Sequence, residues 1–138
     1  MTPTARLTAC FLMLSALSPL PALAQDTPLS AEEFESYVTG RTLTFGVDGV
    51  AYGIEQYLPD RRVLWSFIGD ECREGVWYEK NSQICFVYEH DPSPQCWTFF
   101  QTDDGLRARF ESEMPAADLY EVEQSRQPLL CAGPQVGV

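Results

Sequence analysis

Residues 73–101 read REGVWYEKNSQICFVYEHDPSPQCWTFFQ and contain three runs rich in aromatic and β-branched residues. The runs are separated by Lys80-Asn81-Ser82 and by a loop with two prolines, Asp91-Pro92-Ser93-Pro94. Apolar runs bounded by turn residues are typical of β-strands. The segment therefore predicts two hairpins built from three antiparallel strands, at residues 73–79, 84–89 and 96–101.

The same signals continue on both sides of this segment. Asp48-Gly49 is a strong two-residue hairpin turn between two further strands. Together with the strands above, the chain offers about eight strands spaced about 8–12 residues apart, without β-α-β alternation. The additional strands are predicted at residues 42–47, 50–58, 63–68, 106–111 and 119–122. The sequence thus predicts a mostly β protein, an antiparallel meander of about eight strands that forms a small barrel or a strongly curved sheet.

One short helix is predicted near residues 30–39, before the first strand. Ser30 and Glu33 form a capping box, in which each side chain bonds the other residue's backbone amide. Gly40 can supply the left-handed residue that ends a helix. The apolar residues of this segment recur at helical spacing, at Phe34, Tyr37 and Val38.

The first 24 residues have the features of a secretory signal peptide. Arg6 precedes an apolar stretch over residues 7–17, and Ala22-Leu23-Ala24 is a small-x-small cleavage site. We expect Cys10 to be removed with this signal. The mature chain is then predicted to be periplasmic or secreted.

The mature chain is short enough that one domain is expected. We predict a single β domain over residues 25–123, including the N-terminal helix. An irregular C-terminal tail is predicted over residues 124–138, held to the sheet through Cys131.

Four cysteines remain after export, and an even number in an exported chain predicts two disulfides. If the loop after Glu89 is centred between residues 90 and 91, Cys85 lies directly opposite Cys96 and can bond to it. Cys72 and Cys131 then pair by elimination. A zinc site is the alternative, but the sequence has no Cys-x-x-Cys pair and its single histidine has no partner histidine, so no metal is predicted.

The turn at Asn81 decides which side chains share a face of the sheet. A turn centred on Asn81 places Tyr78 opposite Ile84 and gives a core face of Val76, Tyr78, Ile84, Phe86, Tyr88, Trp97 and Phe99. The other face is also apolar and holds Trp77, Cys85, Val87, Cys96 and Phe100. Such a face needs a cover. The candidates are the N-terminal helix, the tail around Leu129-Leu130, a partner or an apolar ligand.

Composition excludes several classes of function. The formal net charge is −11, from 9 basic and 20 acidic residues. Nucleic-acid binding needs a basic face, and docking on an anionic membrane needs basic residues, so neither is expected. No apolar run long enough to span a bilayer follows the signal peptide.

Little in the sequence indicates catalysis. His90 is the only histidine, and it lies in a loop between Glu89 and Asp91, where an exposed loop residue is the favoured interpretation. Glu55 lies inside an apolar strand. It could be a barrel-interior acid paired with Arg62 or Arg109, but an outward-facing residue is favoured. No phosphate loop or haem motif is found, so no cofactor and no enzymatic activity are predicted.

Three segments together form a pattern of cysteine, glycine and aromatic residues. They are residues 71–78 (ECREGVWY), 83–88 (QICFVY) and 95–97 (QCW). The pattern resembles one in small exported proteins of alphaproteobacteria that belong to domains of unknown function. The resemblance covers residues 41–110 and implies a β-meander and export, but no activity.

The function favoured by the sequence is a non-catalytic binding or interaction module. Its contact residues are predicted as Trp65, Trp77, Trp97 and Phe100, and its partner as an envelope protein or a small apolar ligand. One alternative is a carrier of a small apolar ligand inside a lipocalin-like barrel. Another is a hydrolase that uses His90 or Glu55. An empty interior of at least about 300 Å³ would favour the carrier. An interior filled by side chains, together with an uncovered aromatic patch, would favour the interaction module.

Overall fold

The computed structural model describes residues 26–131, which form a closed barrel of eight antiparallel strands and one short helix. Strands that follow one another in the chain are neighbours in the barrel, and the last strand pairs with the first. The predicted fold class is confirmed, in its closed form. The predicted signal peptide and the last seven residues of the predicted tail lie outside the described residues.

The elements in chain order are α1 Ala31–Val38, β1 Thr42–Val47, β2 Val50–Tyr57, β3 Arg62–Phe67, β4 Arg73–Lys80, β5 Gln83–Tyr88, β6 Asp91–Thr102, β7 Gly105–Phe110 and β8 Leu119–Ser125. Most strands begin and end within a residue or so of the prediction. In the described range, no helix has the length and apolar character that crossing a membrane requires.

Strand β6 begins earlier than predicted, because the Pro-rich segment belongs to it. Tyr88 pairs with Asp91, so the turn contains only Glu89 and His90. Strand β6 pairs with β7 only from Trp97 onward. Prolines are tolerated where a strand lacks one neighbour, because their missing N–H removes no ladder hydrogen bond on that side.

Helix α1 closes one end of the barrel. The predicted capping box is present at Ser30, and the helix turns Phe34 into the barrel, where its side chain is fully buried. The Phe34 ring lies 4.4 Å from the ring of Phe99 and meets Trp77 edge-on at 5.2 Å. Tyr37 donates a hydrogen bond of 2.9 Å to Glu121 of β8. These contacts fix the helix across the opening and block it.

The register between β4 and β5 differs by one residue from the prediction. Asn81 and Ser82 both have positive φ angles, 53° and 60°, so the turn has two central residues rather than one. Trp77 therefore lies opposite Phe86, inside the barrel, and Val76 faces outward. A shift of one residue moves every side chain of a strand to the other face. The predicted assignment of Val76 and Tyr78 to the core face, and of Trp77 to the outer face, is wrong.

The outer face of β6 is covered by a segment that the sequence did not indicate. Phe100 is buried outside the barrel, where the guanidinium groups of Arg107 and Arg109 lie 4.2 and 5.0 Å from its ring. Pro28, before the helix, pairs with Phe100 as an isolated bridge. Leu130 of the tail is 91% exposed and gives no cover. The extended N-terminal segment and the arginine stems thus bury this ring.

Both predicted disulfides are confirmed. Cys85 and Cys96 are directly opposed on β5 and β6, and their bridge joins residues 11 positions apart. Cys72 and Cys131 are bonded across a separation of 59 residues and attach the tail to the start of β4.

Loss of the Cys85–Cys96 bridge should lower the free energy of unfolding by about 3 kcal/mol, because the bridge restricts the unfolded chain. The test is urea denaturation of the double variant Cys85→Ala/Cys96→Ala, with the Cys72–Cys131 bridge intact. A loss below about 1 kcal/mol would mean that the barrel already holds β5 and β6 together without it.

Candidate ligand-binding cavity

The barrel encloses a cavity of about 240 Å³. Strand β2 runs from the open end, at Tyr52, to the closed end, at Tyr57, whose ring contacts Phe34. The cavity occupies the part of the barrel away from α1 and reaches solvent at the opposite end. Its wall is mainly aromatic, and the lining residues are Phe45, Tyr52, Glu55, Tyr57, Trp65, Phe67, Arg73, Phe86, Tyr88, His90, Asp91, Gln95, Trp97, Phe99, Ala108 and Leu119.

Two glycines make space for two aromatic rings of the wall. A Cβ atom at Gly53 would lie 2.2 Å from the Trp65 indole, and one at Gly75 would lie 2.7 Å from the Tyr88 ring. Both distances are shorter than van der Waals contact allows. The indole and the phenol therefore lie directly against the backbone of the neighbouring strand, and the glycines fix where these rings stand.

Glu55 faces the cavity from β2 and is 3% exposed. Both of its carboxylate oxygens lie 3.1 Å from the Tyr88 hydroxyl. The prediction that Glu55 faces outward is wrong, because Gly53, Glu55 and Tyr57 alternate inward along β2. The proposed arginine partners are also wrong. Arg62 is exposed, and Arg109 lies outside the barrel, 3.9 Å from Asp118.

Burial raises the pKa of Glu55 from 4.5 to about 8, and the hydrogen bond from Tyr88 offsets this only in part. Glu55 is therefore mainly protonated at neutral pH. Burial, and the nearby Glu55 carboxyl, also raise the pKa of Tyr57 and Tyr88 well above the ordinary tyrosine value. Both phenols keep their protons and remain hydrogen-bond donors.

The mouth of the cavity combines exposed rings with charged groups. Tyr52 and Phe67 are about half exposed and meet edge-on, with their ring centroids 5.3 Å apart. Arg73 lines the mouth and makes no ion pair with any residue in the described range. His90 is exposed, and its Nδ1 lies 3.5 Å from a carboxylate oxygen of Glu89.

The structure divides the four predicted contact residues into three groups. Trp65 and Trp97 line the cavity. Trp77 is buried beneath Phe34 at the closed end, and Phe100 is buried on the outside of the barrel. The binding role of these residues stays a prediction, but only two of them can reach a ligand in the cavity.

Sequence reasoning did not identify Tyr52, Phe86 and Tyr88 as parts of a binding site. Tyr88 and Phe86 were expected only to pack in the core, and the ring of Tyr52 gave no signal. The alternation of Gly53, Glu55 and Tyr57 along β2 could have indicated an inward acid. It becomes informative only when the barrel is known to close.

The arrangement suits binding of an organic molecule better than metal binding. In residues 26–131 no three histidine, cysteine, aspartate or glutamate side chains lie where they could hold a metal ion. The wall offers aromatic surface, one enclosed carboxyl, two phenol hydroxyls and a charged mouth. Sites of this kind bury an apolar ligand and orient it with a few polar groups.

These features define a small antiparallel barrel that a helix closes at one end and that carries an aromatic cavity at the other. Comparison of the chain with protein-family models, with curated proteins and with solved structures finds no match in any of the three. The resemblance carried by the cysteine and tryptophan pattern stays a prediction.

Proposed function

We propose that this protein binds and carries a small, largely apolar ligand inside its barrel. The observation that carries the proposal is the open, ring-lined cavity of about 240 Å³. Typical sites for drug-sized ligands begin at about 300 Å³, and a cavity of about 150 Å³ binds benzene. The cavity lies between these sizes and suits a ligand with one ring and a short side chain.

An interaction module is supported less well. Two of its four predicted contact residues, Trp77 and Phe100, are buried against other parts of the same chain. The volume of the cavity is smaller than the volume expected of a carrier, but the side chains of the barrel do not fill the interior. The volume therefore limits the size of the ligand rather than removing the site.

The proposal includes binding without chemical conversion, in a compartment outside the cytoplasm. In support, the one charged group paired with His90 within residues 26–131 is the exposed side chain of Glu89. The two disulfides support an oxidising compartment such as the periplasm or the medium.

Filling the cavity tests this function. Ala108 is buried and lines the cavity, so Ala108→Leu should lower the affinity for a neutral probe, 2-phenylethanol, at least about tenfold. Ala51 of β2 is exposed, and Ala51→Leu is the matched control that should change the affinity less than about twofold. The measurement is isothermal titration calorimetry of the mature protein. Equal affinities in both variants, or no binding to the unchanged protein, would contradict the proposal.

A further inference from the structure

The enclosed carboxyl of Glu55 lacks hydrogen-bond partners for its charged form. A carboxylate can accept about four hydrogen bonds, but the one hydroxyl hydrogen of Tyr88 is shared between its two oxygens. Within the described residues no other donor and no cation contacts Glu55. A buried carboxylate without such partners is costly. The hydrogen bonds available to Glu55 therefore suffice for the protonated acid but not for the carboxylate.

Aromatic rings surround this carboxyl. Trp65 is directly opposite Glu55 in the pairing of β2 and β3, so the two side chains stand side by side on the inner face. Tyr88 touches Glu55 and stacks on Phe86, with the ring planes 7° apart. Faces of aromatic rings attract organic cations, most strongly where water is excluded. A carboxylate and the faces of aromatic rings, gathered around one small space, therefore favour the binding of a cation.

The other titratable groups that face this space do not supply the missing charge. Tyr57 and Tyr88 are neutral phenols. Arg73 is opposite Trp65 in the same row, but it lies at the mouth and is only partly buried, so its charge stays hydrated. His90 and Asp91 are exposed at the mouth. The acidic chain as a whole attracts cations to the opening.

We propose that the ligand is an amine that carries an aryl or similar apolar group, and that its ammonium ion binds the ionised carboxylate of Glu55. The apolar group lies among the rings of Trp65, Phe86 and Trp97. This inference rests on the proposed function and adds the charge of the ligand to it. A carboxylate ligand held by Arg73 is the competing arrangement. This arrangement is less favoured. Water already solvates the guanidinium of Arg73 at the mouth, whereas the enclosed carboxylate of Glu55 lacks such solvation.

Three probes of nearly equal size separate these cases: 2-phenylethylamine as cation, 2-phenylethanol as neutral isostere and 3-phenylpropionate as anion. The mature protein is titrated with each by calorimetry. The amine is expected to bind at least about tenfold more tightly than the alcohol at pH 8.5. Glu55→Gln should remove this advantage, so that the amine and the alcohol bind the variant equally well. The control Glu113→Gln removes an exposed carboxylate that does not line the cavity and should change neither affinity.

Proton release supplies a second readout. Glu55 is mainly protonated at pH 7 in the ligand-free protein, so binding of the amine should release most of one proton per site to the buffer. Titrations at pH 7 in two buffers with different heats of ionisation measure this number. Binding of the alcohol should release none, and Glu55→Gln should abolish the release.

The outcomes distinguish the inference from the function on which it rests. If all three probes fail to bind, both are overturned. If the alcohol binds as tightly as the amine, or Glu55→Gln leaves amine binding unchanged, the cavity binds ligands but the cation inference is overturned. If the anion binds most tightly, Arg73 rather than Glu55 selects the ligand, and the cation inference is overturned while the proposed function stands.

Discussion

Replacement of Phe34 by alanine should lower the free energy of unfolding by about 5 kcal/mol, at the upper end for deletion of a buried aromatic ring. Phe34 has no exposed surface and lies among four rings, at Tyr57, Trp77, Phe86 and Phe99. These rings belong to strands that are fixed by the barrel, so they cannot move together to fill the space. The variant loses both the burial of the ring and the packing around it.

Urea denaturation of Phe34→Ala, followed by far-UV circular dichroism, measures this loss. Phe67→Ala is the matched control, because Phe67 is 41% exposed at the open end and should lose about 1 kcal/mol or less. Equal losses in the two variants would show that α1 does not hold the closed end in the way described.

Raising the pH from 5 to 8 should weaken the barrel by about 3–4 kcal/mol through Glu55 alone. The folded protein keeps the proton of Glu55 up to a pKa of about 8, whereas the unfolded chain releases it near 4.5. Between these values the folded state binds more protons than the unfolded state, so stability falls as pH rises. The slope is about 1.4 kcal/mol per pH unit, and it vanishes above pH 8, where both states are ionised.

The comparison with Glu55→Gln isolates this effect from the other carboxylates. Glutamine has nearly the same shape, cannot ionise and can still accept the hydrogen bond of Tyr88. The stability of this variant relative to the unchanged protein should therefore increase steadily between pH 5 and 8. Glu113→Gln, an exposed surface change, should follow the unchanged protein at every pH. Parallel curves for Glu55→Gln and the unchanged protein would contradict the burial of this acid.

Local pattern predicted most of the secondary structure. Asp48-Gly49 and the capping box at Ser30 are local signals, and both are present in the structure. The opposition of Cys85 and Cys96 was predicted from a turn centred between residues 90 and 91. The turn is centred one residue earlier, and a bulge between Phe86 and Tyr88 restores the predicted pairing. The turn at Asn81 and Ser82 was misread because a hairpin with one central residue and a hairpin with two differ little in sequence. That single residue decided whether Trp77 or Val76 entered the core.

The candidate site was much harder to predict than the strands. Trp65 and Trp97, two of the four predicted contact residues, line the cavity. Trp77 and Phe100 were grouped with them because exposure cannot be read from a run of aromatic residues. Glu55 was considered and placed on the wrong face. Its environment depends on Tyr88, which lies 33 positions away in the chain.

By itself, the sequence determined the strands, the helix, the pairing of the four cysteines and the acidic character of the chain, since each depends on near neighbours, on spacing or on composition. Only the tertiary structure decided that the sheet closes, that Phe34 fills one end and that Glu55 faces an aromatic cavity at the other. The physical reason is that the two faces of a strand become an inner and an outer face only when the first and last strands pair and close the barrel. Closure of β1 on β8 joins residues about 80 positions apart, and no local pattern records that contact.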